Sequence, residues 1–104
     1  MYLYNVTVKI DLSKHDDWVF WMQNEHIPDV MKTGLFKKYR FCKLMEQDES
    51  SGATYSIQYQ CESISDYFTY QRDFAPALQS QHAARYANHF VAFRTILKIV
   101  DESE

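Results

Sequence analysis

A glutamate and a histidine stand side by side where the first predicted helix ends. Glu25 and His26 are the best candidates in this chain for proton transfer, because imidazole titrates near neutral pH and an adjacent carboxylate can tune it. They are therefore predicted as a catalytic pair. In the plainer alternative, His26 hydrogen-bonds a backbone carbonyl at the helix end and Glu25 lies exposed at the rim.

Aromatic residues form the second candidate group. They make up 16% of the chain, and aromatic walls with a few polar tips suit a planar ligand held between a sheet and its helices. The predicted ligand-binding aromatic residues are Trp18, Trp21, Tyr55, Tyr59, Tyr67 and Tyr70. An aromatic stripe at helical spacing is also typical of an ordinary core, so both interpretations stay open.

Arg94 interrupts an otherwise apolar strand near the end of the chain and completes the predicted ligand-binding set. A guanidinium that becomes buried needs a partner, because an unpaired buried charge is strongly unfavourable. Gln58, an acidic group of a second subunit and an anionic ligand are the three possible partners.

The remaining histidines and the cysteines predict no metal site. His82 and His89 lie about two turns apart on one predicted helix, but no HxxxH or CxxC spacing accompanies them. They are expected to be surface or interface histidines. Cys42 and Cys61 fall inside predicted strands and are expected to be small buried thiols. Neither a metal nor a cofactor is predicted.

A strand followed by a helix must position the Glu25-His26 pair. Tyr2 to Ile10 alternates apolar and polar residues, as a half-buried strand does. Ser13 is a suitable N-cap, and a helix is predicted from about Lys14 to about His26. At about 100° per residue, one broad face holds Trp18, Val19, Trp21, Met22, Glu25 and His26, whereas Phe20 and Ile27 fall opposite.

A proline and a glycine mark where this helix should stop. Pro28 disfavours helical geometry at Ile27, so a break is predicted there, and Gly34 suits a left-handed cap. Two strands should follow as a hairpin, Leu35 to Met45 and Ala53 to Cys61.

The second half of the chain repeats the helix-and-strand pattern. Ser63 with Asp66 is a capping signature that opens a second helix. Pro76 should kink or restart this helix, since proline is tolerated in a first turn but not in a helix interior. The last predicted elements are the helical continuation Ala77 to Asn88 and the strand Phe90 to Val100. The continuation places one stripe on a single face: Leu78, His82 and Tyr86.

Length and composition bound the class of protein. With 104 residues, 46% of them hydrophobic, the chain is expected to be one globular domain spanning residues 1–104. A net charge of −3 without a cluster of Lys and Arg argues against nucleic acid or an anionic membrane surface as partner. No apolar run is long enough to cross a bilayer and no signal sequence begins the chain, so a cytoplasmic location is expected.

The order β-α-β-β-α-β with right-handed crossovers predicts a ferredoxin-like α+β sandwich, a four-stranded antiparallel sheet with both helices on one face. The residues assigned to the helix side are Val6, Val8, Ile57, Tyr59, Phe93 and Leu97. Those assigned to the other side are Asn5, Thr7, Tyr39, Phe41, Met45, Gln58, Ala92, Arg94 and Ile96. This second face is too apolar for a water-covered sheet, so a homodimer paired through the sheet faces is predicted.

Three stretches carry a family resemblance: HIPDVMKTGLF with the helix before it, YSIQYQ in the third strand, and FRTILKIV at the end. With them the chain resembles a small uncharacterised bacterial family within the dimeric α+β barrel superfamily. That superfamily includes antibiotic-biosynthesis monooxygenases, haem-degrading monooxygenases and muconolactone isomerases. The resemblance implies two ferredoxin-like subunits that share a barrel, and it implies no particular activity.

The haem-degrading members supply a residue pattern to compare. They use an Asn on the first strand, a Trp on the second helix and a His farther along that helix. Asn5 matches the first position, but the second helix offers Tyr67 and Tyr70 in place of a Trp, and His82 lies beyond a proline. Haem oxygenation is therefore not predicted for this chain.

Two functions are predicted as alternatives. The first is a dimeric module that binds a small aromatic or planar ligand between the helices and the sheet. The second is a cofactor-independent monooxygenase or isomerase of an aromatic or enolisable substrate, with His26 as proton shuttle and tyrosine hydroxyls orienting the substrate. The fold does not choose between them. The enzyme requires a cavity that reaches His26 or the tyrosine hydroxyls.

Overall fold

Four strands form one antiparallel sheet in the order β2-β3-β1-β4 in the computed structural model, which describes residues 1–104. The strands are β1 (Tyr2–Ile10), β2 (Lys38–Lys43), β3 (Ala53–Cys61) and β4 (Phe90–Lys98). The predicted ferredoxin-like element order and antiparallel sheet are confirmed. β2 and β4 are shorter than predicted.

The helices pack on one face of this sheet and enclose the core between the two layers. They are the 3₁₀ turn Leu12–Lys14, α1 (His15–Trp21), the π-turn Met22–His26, α2 (Ile27–Met31), α3 (Ile64–Asp73) and α4 (Ala75–Arg85). The predicted Ser13 cap is wrong, because Ser13 lies inside the 3₁₀ turn and α1 has no side-chain cap. None of the helices has the length and apolar character needed to span a membrane.

The π-turn carries the chain through Pro28 without a break. Ile27 keeps right-handed helical dihedral angles, φ −61° and ψ −45°, so the predicted break at Ile27 is wrong. The wider turn contains one additional residue, and the missing N–H of proline falls where the α-helical hydrogen-bond pattern has already shifted. The helix continues to Met31, and Gly34 follows with the predicted left-handed conformation, φ +77°.

This additional residue rotates α2 relative to α1. Ile27 is only 1% exposed, so the prediction that it faces away from the core is wrong. A constant 100° per residue describes an α-helix and does not hold across a π-turn. Phe20, which precedes the turn, faces away from the core as predicted and is 68% exposed. Glu25 is exposed, whereas His26 is half-buried.

The second proline has the opposite effect from the first. Ser63 and Asp66 form the predicted capping box, in which the Ser63 hydroxyl accepts a hydrogen bond from the Asp66 N–H at 3.3 Å. α3 then ends at Asp73, and Pro76 lies in the first turn of α4. In a first turn the backbone N–H has no partner within the helix, so the missing N–H of proline costs nothing there. The predicted restart at Pro76 is confirmed.

α4 buries one stripe of side chains against the core. Leu78, His82 and Tyr86 lie on it, and His82 is only 5% exposed, so the expectation of a surface or interface histidine is wrong for His82. The stripe that the spacing predicts is the face that α4 turns towards the sheet. Among the cysteines, Cys61 is buried as expected, but Cys42 is exposed on β2.

The strand register decides which side chains face the helices, because directly paired residues share a face. Phe41 pairs with Ile57 and Arg94 pairs with Val6, so the faces assigned to β2 and β4 are each wrong by one residue. The helix side includes Tyr39, Phe41, Ala92, Arg94 and Ile96, and the outer side includes Phe93 and Leu97. β4 carries apolar residues on both faces, so its alternation does not select one.

The outer face of the sheet is mixed, with its apolar part at one edge. Val91, Phe93 and Leu97 are exposed along β4, and we call them the outer strip. Next to the strip, on β1, the face becomes polar, and Asn5 accepts a hydrogen bond from the Ser56 hydroxyl at 2.6 Å. An apolar strip of this kind is suited to cover by another surface.

Candidate functional site

A cavity lies between the helices and the middle of the sheet. β1, β3 and β4 form its floor, and the π-turn, α2, α3 and α4 form its roof. Its polar lining residues are Tyr4, His26, Tyr59, Tyr70, Gln79, His82 and Arg94, and the others are aliphatic or methionine. No carboxylate lines it, so Arg94 carries its only permanent charge.

The closed part of the cavity is small. The space open to the centres of water molecules is about 30 Å³, and the atom-free space is about 430 Å³ when the mouth is included. A single water needs about 10–15 Å³ of the first measure, so the closed part holds about two atoms of that size. A larger ligand would extend into the mouth.

His82 is fixed in orientation and in tautomer. The Trp18 indole N–H donates to His82 Nε2 over 2.9 Å, and both side chains are buried. An indole nitrogen can only donate, so Nε2 accepts and the neutral ring carries its proton on Nδ1. Burial, followed by the nearby His26 and Arg94, lowers the pKa of His82 to about 4. The ring is therefore neutral at pH 7.

The Nδ1 atom of His82 is buried and has no hydrogen-bond partner, and the same is true of Nδ1 of His26. The two ring centroids are 5.8 Å apart on the cavity wall. Buried polar groups in proteins are nearly always paired, and an orphaned one costs about 1–3 kcal/mol. Because His26 and His82 both line the cavity, a group bound inside it is the candidate partner for these two nitrogens.

His26 reaches this wall because the π-turn ends at it. Its ring stacks on Trp21 with centroids 5.0 Å apart, and Arg85 lies over the same indole at 5.6 Å. Burial is the main cause that lowers the pKa of His26 to about 4, and Arg94 adds to the effect while Asp29 opposes it. His26 is thus neutral at pH 7, and its buried Nδ1 has no partner in the protein.

Arg94 lies at the mouth of the cavity on the helix side of β4. It is exposed and takes part in none of the ion pairs of the structure. Gln58, one of its three possible partners from the sequence, lies on the outer face opposite Asn5. Arg94 therefore has no protein partner on the side where it points.

Tyrosines supply the aromatic floor and roof. Tyr59 and Tyr70 line the cavity, as does Tyr4, whose ring lies 6.0 Å from Tyr59 and 5.6 Å from Tyr70. Burial raises the pKa of the Tyr59 and Tyr70 hydroxyls, so both remain protonated at neutral pH. Protonated phenols can donate or accept a hydrogen bond at the edge of a bound ligand.

The predicted site residues divide into three groups in the structure. Those that line the cavity are His26, Tyr59, Tyr70 and Arg94. Trp18 and Trp21 lie behind its two imidazoles, one as hydrogen-bond donor and one as stacking partner.

Tyr55, Tyr67 and Glu25 make up the third group and lie away from the cavity. Tyr55 is on β3 beside Trp18, and Tyr67 packs on the ring of Tyr4 at 5.5 Å. Glu25 lies in a surface groove beside Trp21 and Arg85. The structure therefore does not bring Glu25 and His26 together in one pocket.

Sequence reasoning missed three polar members of the cavity: Tyr4, Gln79 and His82. The stripe Leu78, His82 and Tyr86 was a signal that His82 faces the core, and Tyr4 stands on the apolar side of the first strand. No pattern in the sequence shows that Trp18 pairs with His82, because 64 positions separate them.

Comparison with known proteins places the chain in an uncharacterised family. Residues 1–100 match the model of a family described as Domain of unknown function (DUF4286). The predicted resemblance to an uncharacterised family is confirmed. No curated protein matches the chain.

Three solved structures share the fold at low identity. A mutant of MhuD with two manganese protoporphyrin IX molecules bound per active site has a TM-score of 0.73, 10% identity, and coverage of 100% of this chain and 99% of that one. HapK from Hahella chejuensis has a TM-score of 0.72 and 10% identity, with coverage of 100% of this chain and 97% of that one. A dimeric ferredoxin-like protein from an uncultured marine organism has a TM-score of 0.70 and 11% identity, with coverage of 100% of this chain and 99% of that one. Identities this low show the fold alone.

The residues matched to the haem-degrading pattern do not form a haem site in this structure. Asn5, the residue matched to the haem-site asparagine, lies on the outer face of the sheet and hydrogen-bonds Ser56 and Thr7. His82 cannot ligate iron with either nitrogen, because Trp18 occupies Nε2 and the proton occupies Nδ1. No group of three His, Cys, Asp or Glu residues is placed to hold a metal ion either.

Proposed function

The chain belongs to the family described as Domain of unknown function (DUF4286), and from this premise we propose that it is a small-molecule-binding module. The ligand lies in the cavity between the helices and the sheet and presents a planar group to the tyrosines. One observation carries the proposal: two residues that line the cavity, His26 and His82, each have a buried imidazole nitrogen with no partner in the protein.

The energetics of the wall support a bound ligand. Each orphaned nitrogen costs about 1–3 kcal/mol, which a ligand atom at hydrogen-bond distance would recover. Aromatic and aliphatic side chains make up most of the remaining lining, as in sites for small organic molecules. The ligand is therefore amphipathic, with a polar end near His26 and His82 and a planar apolar end towards the mouth.

A cavity-filling variant tests this site. Ala92 lines the cavity, so Ala92→Ile should occupy its free space while keeping a residue suited to a strand. The wild type is expected to bind members of a panel of small aromatic compounds in calorimetry, and Ala92→Ile is expected to bind none. Thr95→Ile, on the outer face of the same strand, is the matched control and should bind like the wild type. Equal binding by Ala92→Ile would rule out this cavity as the site.

We further propose that two copies pair through their outer sheet faces into a homodimer. The outer strip leaves Phe93 70% exposed on a flat sheet surface, and one solved structure of the same fold is described as dimeric. Phe93→Asp should therefore give monomer in sedimentation at micromolar concentration. Phe20→Asp, which changes a 68% exposed aromatic residue on the helix side, should leave the dimer intact. A monomeric wild type would remove this part of the proposal.

A proton-transfer enzyme is the second candidate, and the state of His26 favours it. The imidazole is neutral at pH 7, has a free buried nitrogen and lies in the same cavity as the Arg94 guanidinium. An unprotonated imidazole can take an α-proton from an enolisable substrate while a cation in the same cavity stabilises the enolate, but the lowered pKa makes His26 a weaker base than a free histidine. His26 is also the residue that the sequence predicts for this role.

Exchange of substrate protons in D₂O tests the enzyme. Nuclear magnetic resonance would follow loss of α-protons from a panel of aryl ketones and keto acids. The wild type should accelerate exchange for at least one of them, and His26→Gln should abolish the acceleration. Glu25→Gln asks whether the predicted pair acts together, since only a working pair would lose activity in both variants. No acceleration with any compound would leave binding as the function.

A further inference from the structure

We propose that the ligand of this cavity is an aromatic carboxylate, a monoanion whose oxygens are held by the His82 Nδ1–H and the Arg94 guanidinium. This rests on the proposed function of the cavity and adds to it the charge and the orientation of the ligand.

His82 offers the cavity a donor and never an acceptor while the Trp18 bond is kept. The indole N–H of Trp18 occupies Nε2 at 2.9 Å, and the remaining Nδ1–H is buried without a partner. A hydroxyl or amide can change its role, but this ring cannot, because a tryptophan cannot accept. The ligand atom next to His82 must therefore be a hydrogen-bond acceptor.

The charge of the site is positive and uncompensated. Arg94 lines the mouth without an ion pair, and no carboxylate lines the cavity with it. The acidic group that acts on His26 from outside is Asp29, which already lies 4.0 Å from Lys32. A single negative charge on the ligand would balance Arg94, and guanidinium and carboxylate match in shape as well as in charge.

The size of the closed space agrees with a carboxylate head group. About 30 Å³ is open to water centres, enough for about two atoms of water size. A carboxylate has two oxygens of about this size. The planar remainder of the ligand then extends past Tyr4, Tyr59 and Tyr70, which line the same cavity, into its mouth.

Other classes of ligand would be repelled by His82 and Arg94 or would leave Arg94 unpaired. A metal ion or an organic cation would face the Nδ1–H of His82 and the guanidinium of Arg94, both of which repel it. A neutral aromatic compound would leave Arg94 unpaired, so it should bind more weakly than the anion of the same shape.

Calorimetry with benzoate and benzamide, which share a shape but differ in charge, tests the inference. Wild-type protein should bind benzoate about tenfold or more tightly than benzamide at neutral pH, as expected for a charge-assisted pair. Arg94→Gln should reduce this preference to near unity, whereas Arg94→Lys should keep part of it. Arg72→Gln changes an exposed arginine outside the cavity and should behave like the wild type.

The possible failures are distinguishable. If benzamide binds as tightly as benzoate, the cavity binds ligands but the inferred charge is wrong. If neither compound binds at millimolar concentration while others of the aromatic panel do, the inference is overturned and the proposed function stands; if no compound of the panel binds, both are overturned. Nitrogen NMR of histidine gives a second readout, because benzoate should shift the Nδ1–H signal of His82 while that proton stays on the ring. A signal that does not move on saturation with benzoate would overturn the orientation.

Discussion

Two regions of one aromatic layer differ in how their polar atoms are satisfied. Over β2 and β3, Trp18 packs on Phe41 and Tyr55, and the Tyr55 hydroxyl pairs with His15 Nε2 at 2.6 Å; we call this the paired region. Over β1 and β4, the cavity separates the helices from the sheet, and Nδ1 of His26 and Nδ1 of His82 have no partner. We call this the cavity region.

Aromatic content does not distinguish the two regions, since both are rich in rings. The paired region satisfies its polar atoms within the chain, so it has no need of a ligand. The cavity region leaves donors, a cation and free space together, which is the combination that a binding site requires. Trp18 joins the two, because its ring packs in the paired region and its N–H fixes His82 in the cavity region.

Acidification should expose the difference most strongly. The pKa values of His26 and His82 are lowered from 6.5 to about 4 in the folded state. Between these values the unfolded chain binds more protons than the folded one, so the free energy of unfolding falls as the pH falls from about 6.5 to about 4. Each imidazole should contribute about 3 kcal/mol to that loss, measured by urea unfolding across this range.

Histidine variants test whether the fall in the free energy of unfolding with falling pH originates in the cavity region. His26→Gln combined with His82→Gln should flatten the decline between pH 6.5 and pH 4. His89→Gln, which changes a histidine beyond the end of α4, should retain it. An equally steep decline in the double variant would show that the two buried imidazoles are not its source.

Truncation of Trp18 should have the next largest effect. Trp18→Phe replaces a fully buried indole with a smaller ring and leaves Nε2 of His82 without its donor, so a loss of about 2–4 kcal/mol in the free energy of unfolding is expected. Phe20→Leu, on the exposed side of the same helix, should change stability by less than about 0.5 kcal/mol. A loss below about 1 kcal/mol for Trp18→Phe would argue against a joining role.

Removal of single hydroxyls should give the smallest effects and the most direct contrast. Tyr55→Phe breaks the hydrogen bond to His15 and should cost about 1 kcal/mol in urea unfolding. Tyr70→Phe changes a residue that lines the cavity and should cost less than about 0.5 kcal/mol. The causes that shift the pKa of Tyr70 include burial but no hydrogen bond, so the variant loses none. Equal losses in the two variants would remove the distinction between the regions.

Local signals made much of the fold predictable from sequence. The alternation of β1 and β3, the capping box at Ser63 and the restart at Pro76 each depend on residues a few positions apart. Pro28 failed as a helix breaker because the π-turn before it is stabilised by burying Ile27, a tertiary effect that no local rule contains. The prediction of which β4 residues face the helices was wrong because both faces of β4 carry apolar residues. Only the pairing with β1 decides which face is which.

The sequence predicted several of the residues that line the cavity, but not the contacts that orient them. His26, Tyr59, Tyr70 and Arg94 stood out by residue type, and they line one cavity in the structure. His82 was missed as a polar member, although helical spacing placed it on the stripe that α4 buries. Its fixed tautomer depends on an indole from another helix, and contacts between distant segments leave no mark on sequence periodicity.

A high-resolution crystal structure of the protein as purified tests the central claim most directly. The account predicts electron density in the cavity, within hydrogen-bond distance of Nδ1 of His82, with the Trp18 N–H still bound to Nε2 of the same ring. A collapsed cavity, in which side chains fill the space and both Nδ1 atoms hydrogen-bond to protein groups, would contradict it.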